Sequence, residues 1–308
     1  REHLGSILRE YATPEELQEI NDMNNEEANW DKPELFLITI SQVPQLKGRL
    51  KCWKFKMDFP ELIGEFEPTL ETFTKACDEL TGSKSLQKIF GVILTVGNYL
   101  NGGTTKGQAD GFKLEALGKL TSTKDSKNSQ NVLQYCAKKS VEKYPEVADI
   151  KQELETVPRA NRIDIFETQR GIERVAKEIK THSTMAASVI KNLKQEDDPF
   201  KPLMEKFFVE SEKTVSHLSE RASLAVEKFH ETCLFFGYSE KDPKWKDSAE
   251  LMTVFNNFVK DFSNALPKDE RKTGGNFKRK HEMGKKVGGA AGNPMASVIS
   301  QLKFGGRQ

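Results

Sequence analysis

The sequence lacks the features that mark several large classes of protein. Lysine and arginine number 47 against 46 aspartate and glutamate residues, so the strongly basic balance of a nucleic-acid-binding domain is absent. No stretch approaches about 18 consecutive apolar residues, so no transmembrane segment is predicted. The four cysteines are far apart and form no CxxC pair, a pattern typical of reduced core residues in a cytosolic protein. We therefore expect a cytoplasmic protein without a nucleic-acid partner.

Signatures of catalysis are also missing. The segment from Gly97 to Thr104 has the glycine spacing of a phosphate-binding loop, but Gly103 stands where that loop requires a lysine. The sequence contains no GxSxG and no HExxH pattern. Its many acidic residues alternate with lysines at helical spacing, which is typical of a solvated helix surface. We therefore predict that the chain is not an enzyme and holds no metal or cofactor.

Helical periodicity is what the sequence does have. Thr13-Pro14-Glu15-Glu16 combines a hydroxyl cap, a proline and two acids, as a helix start does. Apolar residues three or four apart predict a buried helix or helix pair over 70–94, and further helices over 129–144 and 248–266. The same spacing predicts that Trp53 and Phe55 belong to the core.

Residues 147–236 carry a near-heptad apolar pattern. Val147, Ile150, Leu154 and Val157 are spaced by three and four residues, and the same spacing returns from Val215 to Phe229. This pattern predicts two long amphipathic helices. The polar break at 196–199 suits a reversal, so the two helices are expected to pack as an antiparallel, coiled-coil-like hairpin.

The C-terminal tail differs in composition from the rest of the chain. Residues 268–286 contain eight lysines and arginines against three acids, and a glycine- and alanine-rich stretch follows. We expect residues 268–293 to be disordered. A short amphipathic pattern then predicts a candidate helix over 295–304. Its apolar positions include Met295, Val298, Ile299 and Leu302.

One ordered series of motifs resembles a known family. Gly97-Asn98-Tyr99-Leu100-Asn101 is followed, after a polar loop, by Gly111-Phe112-Lys113-Leu114. This arrangement resembles the signature of the formin homology 2 domain. Family-like segments flank it in the right order, including Val43-Pro44, Tyr144-Pro145 and Phe235-Phe236-Gly237-Tyr238. The resemblance extends from about residue 4 to residue 266.

The resemblance implies an elongated all-α domain that binds actin. Formin homology 2 domains form a head-to-tail ring dimer on the barbed end of an actin filament, nucleate filaments and stay at the end during elongation. The implied division is formin homology 2 domain over 1–267 and a basic tail over 268–308. Within the domain, the implied parts are knob-side helices at 1–69, a post at 70–146, the hairpin at 147–236 and a terminal helix at 237–267.

The resemblance also implies two sites. In the family, an N-terminal lasso from one subunit docks by tryptophan on the post of the other, around the two glycine motifs. The alternative is that the motif residues only hold a tight turn. The implied actin-contacting residue is Lys124, with Lys127 as a weaker candidate. The implied dimerisation residues are Gly97, Asn98, Tyr99, Asn101, Gly111 and Phe112.

Several family features are expected to lie outside this chain. The lasso and its linker are predicted to be missing, and profilin-bound actin and Rho-family GTPases would be engaged only by other segments. The amphipathic pattern over 295–304 resembles the autoregulatory helix of diaphanous-type formins, although Ala296 replaces the acidic residue of that motif. A disordered tail with accidental periodicity is the alternative there. For the whole chain, the alternative function is a coiled-coil scaffold that is not specific for actin.

Overall fold

The computed structural model describes residues 2–9, 13–23, 31–193 and 197–267. Within these ranges the backbone forms helices joined by turns and loops, without a β-strand, so the predicted all-α fold class is confirmed. Short 3₁₀ helices span Leu114–Lys119, Pro145–Asp149 and Pro243–Lys246. The α-helices are α1 (Glu2–Arg9), α2 (Pro14–Met23), α3 (Lys32–Ser41), α4 (Leu46–Gly64), α5 (Phe66–Gly82), α6 (Lys84–Leu100), α7 (Val132–Lys143), α8 (Ile150–Glu153), α9 (Val157–Ala160), α10 (Ile165–Lys191), α11 (Phe200–Phe235) and α12 (Ser248–Ala265).

The chain divides into two compact units. The first takes the described residues of 1–69 and 167–223, and the second takes those of 70–166 and 224–267. Helices α5, α10 and α11 each contribute residues to both units. The two glycine motifs, at 97–101 and 111–114, both lie in the second unit.

Helix α2 begins where the sequence predicted. The Glu16 N–H donates to Thr13 Oγ1 at 3.2 Å, and the Thr13 N–H donates to Glu16 Oε2 at 2.8 Å. This reciprocal pair is a capping box, which satisfies donors that the first turn leaves without helical partners.

An aromatic cluster forms the core of the first unit. The Phe55 ring stacks on His182 of α10 at 4.2 Å, and the Phe59 ring meets Phe207 of α11 edge-on at 5.6 Å. Phe55 is buried, as predicted, but the prediction for Trp53 is wrong because this side chain is 42% exposed. Helix α4 buries the face that carries Phe55 and Phe59, and Trp53 lies about 200° around the helix from Phe55.

The long helices form a shorter hairpin than the sequence predicted. Helix α10 begins at Ile165, not near 147, and the residues before it form the short segments that end with α9. Pro145 and Pro158 lie in the first turns of two of these segments, and a proline disfavours helical geometry in the residue before it. At the other end of the pair, Phe166 of α10 packs edge-on against Phe229 of α11 at 5.8 Å. The start of one helix thus meets the end of the other, as in an antiparallel pair.

The core of the second unit is built mainly from apolar side chains. Ser83 caps α6 by accepting from the Leu86 N–H at 2.9 Å, and Asn131 caps α7 through a capping box with Gln134. All four cysteines are free and buried, which confirms their predicted core position. Burial raises the pKa of the Cys136 thiol to about 12, so this thiol is unreactive. The largest fully buried side chains of this unit are Leu70, Phe73, Leu80, Leu86, Ile89, Ile93, Leu120, Leu133, Ile150, Phe229, Phe255 and Phe262.

None of the helices in the described ranges is long and apolar enough to cross a membrane. The same ranges contain no group of three or more histidine, cysteine, aspartate or glutamate side chains arranged to hold a metal ion.

Candidate functional site

The loop that follows α6 is held by the side chain of Asn98. Its Nδ2 donates to the Ala109 carbonyl oxygen at 2.8 Å, and its Oδ1 accepts from the Ala109 N–H at 2.8 Å. One amide therefore satisfies both backbone groups of a residue that is eleven positions away. Asparagine is suited to this task because its side chain carries a donor and an acceptor side by side.

Asn101 ends helix α6 and organises the first turn of the loop. Its side chain is almost fully buried, and its N–H donates to the Gly97 carbonyl oxygen at 2.9 Å. Its own carbonyl oxygen accepts from the Thr104 N–H at 3.1 Å and from Thr104 Oγ1 at 2.8 Å. A Cβ atom at Gly107 would lie 2.8 Å from that same oxygen, so the loop requires glycine at this position.

Phe112 packs the end of the loop against α6. Its ring packs edge-on against Phe90 of α6 at 5.4 Å, and its half-buried side chain joins Leu100 and Ala109 around the buried Ala116. Gly111 leaves open space beside the loop. Apart from its chain neighbours, no atom of this chain that the structure describes lies within 4 Å of the position that a Cβ would occupy there.

Tyr99 points away from this arrangement. Its side chain is 75% exposed although its neighbours on both sides are at least half-buried. On the same helix, Val92 and Val96 line a groove of about 1000 Å³ between α6 and α7, which Tyr135 and Tyr144 also line. The end of α6 thus presents an aromatic residue to solvent beside a groove with an apolar floor.

Lys124 and Lys127 lie on a separate turn after the 3₁₀ helix Leu114–Lys119. The turn is closed by the Asp125 N–H, which donates to Gln130 O at 3.0 Å, and by the Asp125 carboxylate, which accepts from the Ser129 N–H at 2.7 Å. Hydrogen bonds from the Ser129 hydroxyl and N–H hold the pKa of Asp125 below its ordinary value. Lys124 is exposed, and its ammonium group has no ion-pair partner among the residues that the structure describes.

The structure thus brings some predicted site residues together and separates others. Gly97, Asn98, Asn101 and Phe112 build one loop, with Tyr99 and Gly111 at its surface. The two lysines belong to the separate turn just described. The candidate autoregulatory residues Met295, Val298, Ile299 and Leu302 lie outside the described residues.

Comparison with known proteins identifies the family. The formin homology 2 domain family matches residues 1–263. The chain belongs to the formin homology 2 domain family. Formin-G of Dictyostelium discoideum is 28% identical over 99% of this chain and 29% of its own length. Protein diaphanous homolog 3 of Homo sapiens is 26% identical over 87% of this chain and 22% of its own length. The chain therefore spans less than a third of each of these relatives.

This formin homology 2 domain also contains a polar network that the sequence did not reveal. Lys244 Nζ lies 2.8 Å from Glu115 Oε1 and 3.1 Å from Glu250 Oε1, and the Tyr238 hydroxyl donates to Glu115 Oε1 at 3.2 Å. The Lys244 side chain is only 11% exposed. In sequence, Lys244 is one of many lysines in a polar segment, and only the nearby Phe-Phe-Gly-Tyr motif signals that the region matters.

The network shifts the protonation of its members. Burial by itself raises the pKa of Glu115, but hydrogen bonds from Lys244 and Tyr238 bring that pKa below its ordinary value. Burial lowers the pKa of Lys244, and its hydrogen bonds with Glu115 and Glu250 outweigh that effect and raise it. The network ties the segment after Phe112 to α12. Glu115 and Tyr238 also line a cleft of about 930 Å³ next to Phe112.

Proposed function

We propose that this formin homology 2 domain is an actin-binding module. In the full-length protein, a dimer of such domains supports filament nucleation and processive elongation at the barbed end. The observation that carries the proposal is the family match over residues 1–263. The proposed work is done by shape and repeated contacts, without bond chemistry, so the domain is not an enzyme. Its proposed location is the cytoplasmic actin cytoskeleton.

The proposed actin contact centres on Lys124. Its exposed ammonium group is carried by a turn that backbone and side-chain hydrogen bonds close, and it has no ion-pair partner in the described part of the chain. Because Lys124 has no internal partner and its turn is already ordered, binding to an acidic surface breaks no existing ion pair and orders little backbone. Its charge raises both affinity and association rate for such a surface. Lys127 is exposed on the same turn and supplements this contact.

The proposed dimerisation surface is the loop after α6. The two hydrogen bonds of Asn98 to Ala109 and the buried Asn101 order this loop. The exposed Tyr99 and the open space at Gly111 leave room for a partner segment. A preordered loop loses less conformational entropy when a second chain docks on it. These features support docking of a lasso from a second subunit on this part of the domain.

Cosedimentation with actin filaments tests the proposed actin contact. Lys124→Glu reverses one charge, and we expect it to weaken binding about five- to tenfold, because it removes one favourable pair and creates one repulsive pair. Lys138→Glu is the matched control, since Lys138 is an exposed lysine of the same unit on α7. Both variants should unfold at the wild-type urea concentration, because neither removes a contact inside the domain.

The outcomes separate actin binding from the scaffold alternative. Equal weakening by Lys124→Glu and Lys138→Glu would indicate a diffuse charge effect and would contradict the assignment of Lys124. Absence of actin binding, both in this chain and in a longer formin chain that includes a lasso, would favour a coiled-coil scaffold. Self-association of that longer chain that is indifferent to substitution of Asn98 or Phe112 would favour it as well.

A further inference from the structure

The second unit contains a cavity that the proposed actin and dimerisation sites do not use. It lies between the short helices α8 and α9 on one side and α12 on the other, and its volume is about 420 Å³. Its lining includes three cationic side chains, Lys151, Arg162 and Lys260. This volume is near the lower end of the range of about 300–1000 Å³ for small-molecule sites, so the cavity suits a compact ligand.

The three cationic side chains of this cavity lack carboxylate partners among the described residues. Lys151, Arg162 and Lys260 are exposed, and none has an ion-pair partner in the ranges that the structure covers. The one carboxylate in the lining belongs to Glu155, which is paired with Lys75 at 3.1 Å. Three cations around one concave surface repel each other and concentrate positive potential there, which a bound anion relieves.

The remaining lining favours a small polar anion. Asn256 of α12 is 8% exposed and places an amide in the wall, while Leu154 and Val259 supply buried apolar surface. A guanidinium group such as that of Arg162 matches phosphate oxygens with two parallel N–H donors, and lysines add point charges. A phosphomonoester carries about −1.5 to −2 charges at neutral pH, so it offsets three cations better than a single carboxylate does.

We propose that this cavity binds a phosphomonoester on a compact polar scaffold, with Arg162 as the principal ligand and Lys151 and Lys260 beside it. The shared chemistry is that of a phosphorylated polyol. Such a group is available either as a soluble compound or as the headgroup of a membrane lipid. This proposal does not depend on actin binding, so either one can fail without the other.

Isothermal titration of the full chain with inositol trisphosphate tests the proposal. We expect binding to the wild-type chain, and we expect Arg162→Gln to raise the Kd about tenfold or more, as loss of a charge-assisted hydrogen bond does. The triple variant Lys151→Gln, Arg162→Gln, Lys260→Gln should abolish binding. Lys138→Gln removes a surface charge outside the cavity and should leave the Kd unchanged, and urea unfolding verifies that each variant is folded.

A second arm distinguishes the two sources of the phosphate group. Phosphatidylcholine vesicles, with and without phosphatidylinositol bisphosphate, are sedimented with the wild-type chain and with the triple variant. Cavity-dependent binding to the phosphorylated vesicles assigns the lipid headgroup, and binding to the trisphosphate alone assigns a soluble compound. Binding that the triple variant retains belongs to the basic residues of 268–286 and overturns the proposal. Failure of the wild-type chain to bind either probe overturns it as well.

Discussion

At the scale of single residues, Asn98 holds the loop of the candidate site through two hydrogen bonds to Ala109. Asn101 and Phe112 fix the two ends of this loop, and Asn98 joins the last turn of α6 by hydrogen bonds to its far part.

Replacement of this side chain should loosen the loop. Asn98→Ala removes a donor and an acceptor and leaves the Ala109 backbone groups without partners, which costs about 1–3 kcal/mol. Urea unfolding measures this loss. Thr95→Ala is the control, because the Thr95 hydroxyl bonds only to the Gly91 carbonyl oxygen of its own helix and should be close to neutral. Equal stability of Asn98→Ala and the wild-type protein would contradict a stabilising role for the Asn98 hydrogen bonds.

The Lys244 network makes the free energy of unfolding of the domain depend on pH. Lys244→Met removes the cation shared by Glu115 and Glu250, and it should lower the free energy of unfolding by about 1–2 kcal/mol near neutral pH. The figure is modest because the side chains of both glutamates are about half exposed. Lys244→Arg keeps the charge and should recover most of the stability.

The sign of the pH dependence follows from the lowered pKa of Glu115. Its contribution to stability is complete above its ordinary value of 4.5 and is lost as the pH falls through the lower pKa of the folded state. The difference between wild type and Lys244→Met should therefore shrink when urea unfolding is measured below pH 4.5. A difference that stays constant down to strongly acidic pH would show that Lys244 acts only through packing.

At the scale of helices, close packing and helix propensity can be separated with two glycines. A Cβ at Gly48 of α4 would lie 2.9 Å from Cγ2 of the buried Val189 on α10, whereas a Cβ at Gly91 of α6 meets no atom within 4 Å. Alanine is favoured over glycine inside a helix by about 0.5–1 kcal/mol. Overpacking against a β-branched side chain costs about 1–3 kcal/mol.

The two alanine variants should therefore change stability in opposite directions. Gly91→Ala should raise the free energy of unfolding by about 0.5–1 kcal/mol. Gly48→Ala should lower it by about 1 kcal/mol, as the overpacking exceeds the gain in propensity. Urea denaturation of both variants checks this. An equal gain at the two positions would mean that α4 and α10 are not in the close contact described here.

Helical periodicity predicted which residues are buried better than it predicted where helices end. Val147, Ile150, Leu154 and Val157 are all buried, as their spacing indicated, yet they belong to three short segments before α10. Spacing by three and four residues is satisfied by a short helix as well as by a long one, and Pro158 was the local signal for a break. Trp53 shows the reverse case: its helix was predicted correctly but its burial was not, because helical spacing does not say which face of α4 is covered.

The candidate site could be predicted from the sequence only in part. The asparagines and Phe112 belong to a short motif with local hydrogen bonds, so the sequence contains most of the information needed to place them. The Lys244 network joins residues more than one hundred positions apart, and Glu115 and Lys244 form no pattern together. The cavity near α12 could not be predicted for the same reason, since Arg162 and Lys260 line one concave surface only in the folded unit.

At the scale of the whole molecule, the proposed function depends on the second unit. It carries the ordered loop, the turn with Lys124 and the polar network behind Phe112. The basic residues of 268–286 offer a competing source of affinity for an acidic partner, and they lie outside the described residues. We therefore expect actin to contact the turn with Lys124 and Lys127, and not the basic residues of 268–286.

Carbodiimide cross-linking to actin, followed by mass spectrometry, tests that claim most directly, because this reagent joins a lysine amine to a carboxylate only when the two are in contact. We expect cross-linked peptides that contain Lys124 or Lys127, and their loss in the double variant Lys124→Glu, Lys127→Glu. Cross-links confined to the lysines of 268–286 and unchanged in that variant would contradict it.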